Sequence, residues 1–420
     1  MAGEWKRYQV ATLIESGALV VGDGYRAKNS ELTSSGLPFA RVSNINAGFF
    51  FKDADYFPEE NLRLVGNKVS QPGDVVFTSK GTVGRFGFVS SDTPRFVYSP
   101  QLCFWRSVDR QLIDPRFLSF WMSGREFFIQ FRGVASQTDM ADYVSLTDQR
   151  RMHITLPPLP EQRAIAHILG TLDDKIELNR RMNETLEAMA RALFKSWFVD
   201  FDPVRAKAAG RDPGLPKPLA DLFPDSFEGS ALGEIPKGWE VKKLGDLLEL
   251  AYGKALKAED RQEGDVPVYG SNGQVGWHNA RLVVGPGIVV GRKGNPGIAT
   301  WVATDFFPID TTFYVLPKAS CQSLEFLFHM LRTHDLASLG ADSAVPGLNR
   351  NLATMSNQVL PPAELLGHFE RFAGELSPRV NCGNEESRTL AALRDTLLPK
   401  LISGELQVGD VERFVRAEQG

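Results

Sequence analysis

Cysteine is scarce in this chain, whose 420 residues contain only Cys103, Cys321 and Cys382. Three cysteines so far apart exclude a disulfide framework and a cysteine-based metal site, and they are typical of a reducing compartment. Long apolar runs are also missing and residues 1–8 are polar, so we expect neither a membrane span nor a signal peptide. These absences predict a cytoplasmic globular protein.

The sequence also lacks an excess of either charge, with a formal net charge of −4. That balance gives no global sign of a nucleic-acid partner. Several glycine-rich loops nevertheless carry Lys or Arg with no acid beside them, and a local basic footprint is compatible with an acidic protein. A chain of 420 residues is too long for one ordinary core, which predicts two domains plus connections.

One stretch organises the rest of the chain. After Pro157-Pro158, apolar residues recur with the alternating three- and four-residue spacing of a helical seam. The seam consists of Ile165, Leu169, Leu172, Ile176, Leu186, Leu193 and Trp197. This spacing predicts one long helix within residues 156–200, and about 40 helical residues span roughly 60 Å.

The same pattern returns near the C-terminus. Pro361-Pro362 repeats Pro157-Pro158 at an offset of 204 positions (361 − 157). The same offset carries seam residues of the first helix to Phe369, Leu376, Val380, Leu390 and Leu397. We therefore predict a second long helix within residues 361–408. Because a helix with one apolar stripe cannot bury that stripe alone, the two copies are expected to pair with each other.

Polar and helix-breaking residues modify this pattern. Asn179 and Asn183 occupy seam positions in the first helix, where buried amides are expected to fix the register of the pair. Pro378 and Gly383 lie inside the second pattern. We expect a kink or a break there rather than a continuous helix.

The rest of the chain forms two similar blocks, residues 1–155 and 239–360. Both contain short β-type runs separated by Gly and Pro and a later helical patch, which predicts an α+β fold. The repeated features are Trp5 and Trp239, Lys80-Gly81 and Lys293-Gly294, and Phe117-Leu118 and Phe326-Leu327. Residues 201–238 contain six prolines and are predicted to be a connector without regular elements, and residues 409–420 form a tail.

The duplication conserves the scaffold residues but not the loops. Gly, Pro and the apolar strand positions repeat, whereas the polar loop residues differ between the blocks. Thr78-Ser79, for example, corresponds to Gly291-Arg292. Two copies of one scaffold with different loop surfaces are what a protein would have if each copy read a different target.

Four sequence segments mark the boundaries of the scaffold. They are Leu156–Gln162, which opens the first helix, Ser196–Val204, which closes it, Gly233–Glu240, which leads into the second block, and Leu397–Leu406, which ends the second helix. Together they cover the scaffold of nearly the whole chain, and they resemble the corresponding segments of one known family, the specificity subunits of type I restriction–modification enzymes.

The resemblance implies two tandemly duplicated target-recognition domains, separated and joined by two long antiparallel helices that form a coiled coil. Each domain would read one half of a bipartite, asymmetric double-stranded DNA target, and the helices would set the spacer and dock two modification subunits. This chain would be non-catalytic and would hold no cofactor or metal. S-adenosylmethionine would lie on the modification subunits, and ATP and Mg would serve the restriction subunits, in a prokaryotic phage defence that methylates adenine.

Sequence reading needs side chains that make paired hydrogen bonds to bases, chiefly Arg or Lys to guanine and Asn or Gln to adenine. Glycine beside lysine also allows close approach to a phosphate. The candidate DNA-binding residues are Arg41, Ser43, Asn44, Lys80 and Arg85 in the first block, and Tyr269, Ser271, Asn272, Arg292, Lys293, Asn349 and Arg350 in the second. The competing interpretation is solvated loops that share a turn.

Two other functions are alternatives. Asp225, Glu240 and Lys242 superficially resemble a metal-dependent nuclease site, where carboxylates hold magnesium and a lysine assists the attacking water. Asp225, however, lies in the connector, and the first block has no glutamate at the position of Glu240. The second alternative is a coiled-coil scaffold that binds proteins without reading DNA.

Overall fold

The computed structural model describes residues 4–46, 48–79, 84–135, 144–339 and 347–409. The chain divides into two compact units. Unit 1 contains residues 1–177 and 388–420, and unit 2 contains residues 178–387. Both long helices cross the boundary, so each unit contains a segment of each helix.

Unit 1 contains nine strands and five short helices among the described residues. The strands are β1 (Lys6–Gln9), β2 (Leu19–Asp23), β3 (Leu37–Ala40), β4 (Asp55–Phe57), β5 (Asp74–Thr78), β6 (Phe86–Phe88), β7 (Val97–Tyr98), β8 (Leu102–Ser107) and β9 (His153–Leu156). The helices are α1 (Val10–Glu15), α2 (Leu62–Val65), α3 (Pro115–Met122), α4 (Arg125–Ala135) and α5 (Leu146–Arg151). The first long helix, α6 (Leu159–Phe198), follows.

Unit 2 contains eleven strands among the described residues, and the second long helix closes it. Its helices are α7 (Asp202–Ala208), α8 (Lys217–Ala220), α9 (Leu244–Leu247), α10 (Leu324–Thr333), α11 (Arg350–Met355) and the long α12 (Ala363–Ser403). Its strands are β10 (Phe227–Ser230), β11 (Gly233–Pro236), β12 (Glu240–Lys243), β13 (Leu248–Tyr252), β14 (Val266–Gly270), β15 (Gly273–His278), β16 (Gly287–Gly291), β17 (Ala299–Val302), β18 (Phe307–Pro308), β19 (Thr312–Pro317) and β20 (Asn357–Leu360).

The two units share one sheet topology. The four-stranded order β2-β8-β5-β6 returns as β13-β19-β16-β17, and the three-stranded order β4-β3-β7 returns as β15-β14-β18. In both three-stranded sheets the third strand pairs in parallel with the central one. The pair β1-β9 likewise corresponds to β12-β20. The predicted α+β fold and tandem duplication are confirmed.

A buried ion pair holds the centre of the unit 1 sheet. Asp74, at the start of β5, is fully buried and accepts two hydrogen bonds from Arg106 of β8, at 2.6 and 2.7 Å. The Tyr98 hydroxyl donates to the same carboxylate at 2.6 Å. Burial, together with the Asp74 charge, raises the pKa of Tyr98 well above its ordinary value, which keeps it a donor. Removing one partner of such a pair is strongly destabilising, so it ties β5 to β8.

The predicted absence of regular structure in the connector is wrong. Helices α7 and α8 and the β10–β11 hairpin all lie within residues 201–238. Pro203 and Pro218 stand in the first turns of the two helices, where the missing N–H costs no hydrogen bond. Four apolar side chains of this segment pack in the core of unit 2, namely Phe201, Val204, Phe223 and Ile235.

The two long helices form as the seam spacing predicts. The seam residues of α6 and α12 are all buried or half-buried. In unit 1, Asp173 of α6 accepts a hydrogen bond from Arg394 of α12 at 2.8 Å. In unit 2, the order of contacts runs from Asn179 with Glu386 to Phe194 with Phe369, which is antiparallel. None of the described helices is long and apolar enough to cross a membrane.

The predicted interruption at Pro378 and Gly383 is wrong, because α12 is continuous through both residues. The partner helix α6 explains why residue 383 is a glycine. A Cβ atom at Gly383 would lie 2.7 Å from Oδ1 of Asn183, closer than real contacts allow. Asn183 is buried and donates to Oδ1 of Asn384 at 2.8 Å. Gly383 therefore leaves the space that is occupied by Asn183, one of the two asparagines predicted to fix the register of the helix pair.

Unit 2 buries a carboxyl group where α10 packs on α12. Glu325 is 2% exposed and accepts a hydrogen bond from Ser377, while Glu370 accepts from the backbone N–H of Glu325 at 3.0 Å. Desolvation, with the nearby Glu370 charge in support, raises the pKa of Glu325 to about 7. Desolvation and two arginines lower the pKa of buried His329 to about 4. Both groups therefore favour their neutral forms.

The contact between Gly383 and Asn183 predicts opposite effects for two alanine substitutions in α12. Gly374→Ala meets open space and should stabilise the helix by up to about 1 kcal/mol. Gly383→Ala should lose that gain and destabilise unit 2, since it displaces the Asn183 amide. Urea unfolding of both variants measures the difference. In an Asn183→Ala background, Gly383→Ala should cost less, and equal stabilisation by both alanines would contradict the account.

The raised pKa of Glu325 predicts a pH-dependent stability. The stability that the protonated Glu325 carboxyl contributes is fully present below the ordinary pKa of 4.5. It is lost as the pH rises through about 7. Glu325→Gln, which cannot ionise, should match the wild type near pH 5 and exceed it at pH 8.5 by roughly 2 to 3 kcal/mol. His329 has the opposite dependence in both proteins and cancels. Urea unfolding at the two pH values tests this, and a gap that does not grow with pH would refute it.

Candidate nucleic-acid interface

Two predicted loops meet in unit 2. Ser271 and Asn272 form the turn between β14 and β15, and the loop after β16 contains Asn295. Nδ2 of Asn295 donates to Oδ1 of Asn272 at 2.7 Å. Gly294, with φ of +85°, brings its backbone to Ser271, because a Cβ atom there would lie 3.4 Å from the Ser271 hydroxyl. The hydrogen bond and this close approach join the two loops into one surface.

Two predicted arginines lie on one tyrosine at this surface. The guanidinium carbon of Arg292 is 4.9 Å from the ring centroid of Tyr252, and that of Arg350 is 5.1 Å from it. Arg292 also lies 5.9 Å from the Phe313 ring and donates to the Asp310 carbonyl at 3.0 Å. Arg350 donates to Glu249 at 3.1 Å. Residues far apart in sequence thus form one cationic and aromatic cluster.

The other unit 2 candidates have varied surroundings. Lys293 is exposed, and its backbone N–H donates to the Thr311 carbonyl at 3.1 Å. Tyr269 is half-buried, with its ring 6.2 Å from that of Phe306. Asn349 caps α11, since its Oδ1 accepts from two backbone N–H groups of the first turn at 3.0 and 3.2 Å. Lys293 is therefore the most exposed of these three residues and the cation among them.

Unit 1 brings the corresponding loops together. Nη1 of Arg85, just before β6, lies 3.5 Å from the Val42 carbonyl and 3.4 Å from the Ile45 carbonyl. Arg41 of the same loop pairs with Asp55 at 2.6 Å, and both side chains are about half exposed. Ser43 is exposed. Lys80 lies outside the described residues, so the structure gives it no position.

Asn44 has a structural role in this loop. It is buried, its Oδ1 accepts from the backbone N–H of Arg41 at 2.8 Å, and its Nδ2 donates to the Phe50 carbonyl at 2.8 Å. These bonds close the 3₁₀ turn Val42–Asn44. A buried amide with both polar atoms engaged is not available to a base, so we leave Asn44 out of the proposed contact set.

Comparison with known proteins shows which family this duplicated scaffold belongs to. A family model, the type I restriction modification DNA specificity domain, matches residues 4–188 and 236–361, which is more than half of the chain. This chain belongs to the type I restriction–modification DNA specificity family. Members are specificity subunits of type I restriction enzymes and are non-catalytic parts of those complexes. The predicted recognition function is thereby confirmed at the level of the family.

Individual relatives agree with this assignment. The HindI specificity subunit of Haemophilus influenzae is 26% identical over 408 residues, covering 81% of this chain and 88% of the relative. The MjaIX specificity subunit of Methanocaldococcus jannaschii is 25% identical, covering 62% of each chain. The crystal structure of a type I restriction–modification S subunit from M. genitalium has a TM-score of 0.61 at 16% identity, covering 95% of this chain and 96% of that one. It shares the fold.

The nuclease alternative has no geometric support. Glu240 forms an ion pair with Lys242 at 2.9 Å on strand β12, so the lysine neutralises the carboxylate. In the part of the chain that the structure describes, no three His, Cys, Asp or Glu residues form a group able to hold a metal ion. Members of the specificity family are non-catalytic subunits of their complexes.

Sequence analysis missed three residues of the unit 2 surface. Tyr252, Glu249 and Asn295 had not been singled out, although Asn295 lies inside the Lys-Gly-x-x-Gly pattern that repeats between the blocks. No sequence motif marks Tyr252, and an aromatic residue at the end of a strand is usually part of a core. Here it is 49% exposed, and only the fold reveals the arginines beside it.

Proposed function

We propose that each unit of this specificity subunit reads one half of a bipartite, asymmetric double-stranded DNA target. The observation that carries the proposal is the strand order of three sheets that recurs in both units, combined with different side chains in the loops that meet. Unit 1 joins its loops through Arg85 and backbone carbonyls, and unit 2 joins them through Asn272 and Asn295. One scaffold with two loop chemistries suits two different half-sites.

The proposed contacts come from the loops and from residues at the ends of the strands and helices beside them. Arginine and amide side chains can make paired bonds to base edges, and lysines supply the phosphate contacts that position a protein on DNA. The proposed contact set is Arg41, Ser43, Lys80 and Arg85 in unit 1, and Tyr269, Ser271, Asn272, Arg292, Lys293, Asn349 and Arg350 in unit 2. Asn349 has only its amide nitrogen to offer, because its oxygen caps α11.

The long helices are proposed to set the spacer and to dock two modification subunits. Their continuity through 40 and 41 residues gives them the stiffness of a fixed separator. They also leave large apolar side chains exposed, which is typical of a protein-binding surface. These are Leu178, Met182 and Met189 on α6, and Phe372 and Leu393 on α12.

Catalysis would then belong to the partners. The modification subunits would bind S-adenosylmethionine and methylate adenine, and the restriction subunits would use ATP and Mg to translocate and cut. This chain would direct both reactions to one sequence in the prokaryotic cytoplasm. A difference between its two units would make the target asymmetric.

Exchanging one block tests this division. If residues 239–360 are replaced by the corresponding block of the HindI specificity subunit, one half of the methylated motif should change while the other half and the spacer stay the same. The physical reason is that each half-site contacts one unit only. The measurement is methyladenine sequencing of a host that expresses the hybrid with the cognate modification subunit.

The matched control exchanges residues 4–155 instead and should alter only the other half-site. A hybrid that changed both halves, or neither, would contradict independent reading. Co-purification of each hybrid with the modification subunit shows that the complex still assembles.

A further inference from the structure

The guanidinium of Arg292 is held in position without an ion pair to any described residue. Its contacts are the Tyr252 and Phe313 rings and the backbone carbonyl of Asp310, and it has no carboxylate partner among the described residues. Arg350, on the same tyrosine, pairs with Glu249. Of the two arginines, Arg292 thus combines a fixed position with the lack of a carboxylate partner among the described residues.

Arg292 also retains donors for a ligand. A guanidinium has five N–H donors in a planar fork, and the Asp310 carbonyl accepts a bond from only one of its nitrogens. The aromatic rings stabilise the cation through their faces. The remaining fork matches the O6 and N7 acceptors of guanine, the commonest partner of arginine in specific DNA contacts.

The restraint favours base reading over phosphate binding. A phosphate contact needs charge but little direction, and the exposed Lys293 beside Arg292 suits that task. Paired hydrogen bonds to one base need a fixed orientation, and a side chain that is already ordered loses less entropy when it binds. Two rings and a carbonyl supply this order, and Tyr252 is 49% exposed at the surface.

At the corresponding positions, the described residues of unit 1 do not repeat the Tyr252–Arg292 contact. Phe313 pairs with both Tyr252 and Val290, and Cys103 pairs with both Asp23 and Phe77. The shared topology therefore places Asp23 at the position of Tyr252, and Ser79 at the position of Arg292. Asp23 binds Lys68 at 2.8 Å, and Ser79 is buried with its hydroxyl 3.3 Å from the Gln101 carbonyl. At these matched positions, the contact between an arginine and a tyrosine occurs in unit 2.

We propose that Tyr252 is a positioning residue that orients Arg292 to read one guanine in the half-site of unit 2. This inference rests on the proposed function, because it requires unit 2 to contact DNA bases. It gives Arg292, already in the proposed contact set, a base-specific role, and it adds Tyr252 as the residue that positions it.

Five substitutions, including Arg292→Ala, test the inference in the full complex with the modification subunit, read by methyladenine sequencing. Arg292→Lys and Tyr252→Leu should each lower the preference for one G·C pair by roughly 10- to 100-fold, leaving the other half-site intact. Tyr252→Phe keeps the ring and should retain the wild-type motif. Arg281→Lys is the matched control, since Arg281 pairs with Asp305 outside the contact set.

Each outcome decides the inference. Retained specificity in Arg292→Lys, with equal weakening at all sites in Arg292→Ala, would make Arg292 a phosphate contact and overturn it. An unchanged motif in Tyr252→Leu would remove the positioning role. If Tyr252→Leu fails to assemble with the modification subunit, the Arg292→Lys result decides. A wild-type complex that yields no bipartite motif would instead refute the proposed function itself.

Discussion

Pairing of the two long helices is the constraint on which the rest of the structure depends. Leu401 and Ile402, from the end of α12, lie in the core of unit 1 with Ile165 and Leu169 of α6. Unit 2 buries Leu365 and Phe369, from the start of α12, among residues of the second block. Unit 1 is therefore completed by chain from the C-terminal part of the sequence, and the core of each unit contains residues of both helices.

Duplication then separates the scaffold from the reading surface. The sheet orders and the meeting of two loops repeat, whereas the polar interactions inside each copy do not. Unit 1 holds its sheet with the Asp74–Arg106 ion pair, and unit 2 packs α10 on α12 through the buried carboxyl of Glu325. Stability can be supplied differently in each copy while the topology stays fixed, which leaves the loops free to differ.

Sequence periodicity predicted the helices and the duplication because both depend on spacing. It failed where tertiary packing decided the outcome. A glycine at position 383 signals a break until Asn183 is seen to require the space, and a proline at 378 costs one hydrogen bond that a packed helix tolerates. Tyr252 escaped because its role depends on Arg292 and Arg350, which only the fold brings to it.

The central claim is that the paired helices fix the distance between two readers. Its most direct test inserts one heptad into each helix, after Glu177 and after Ser387, and maps the methylated motif. Seven residues add roughly 10 Å of helix, or at most about three base pairs at 3.4 Å each. The account predicts a longer spacer between unchanged half-sites, and the same insert at Gly210 in the connector should leave the spacer unaltered. An unchanged spacer, or altered half-sites, would contradict it.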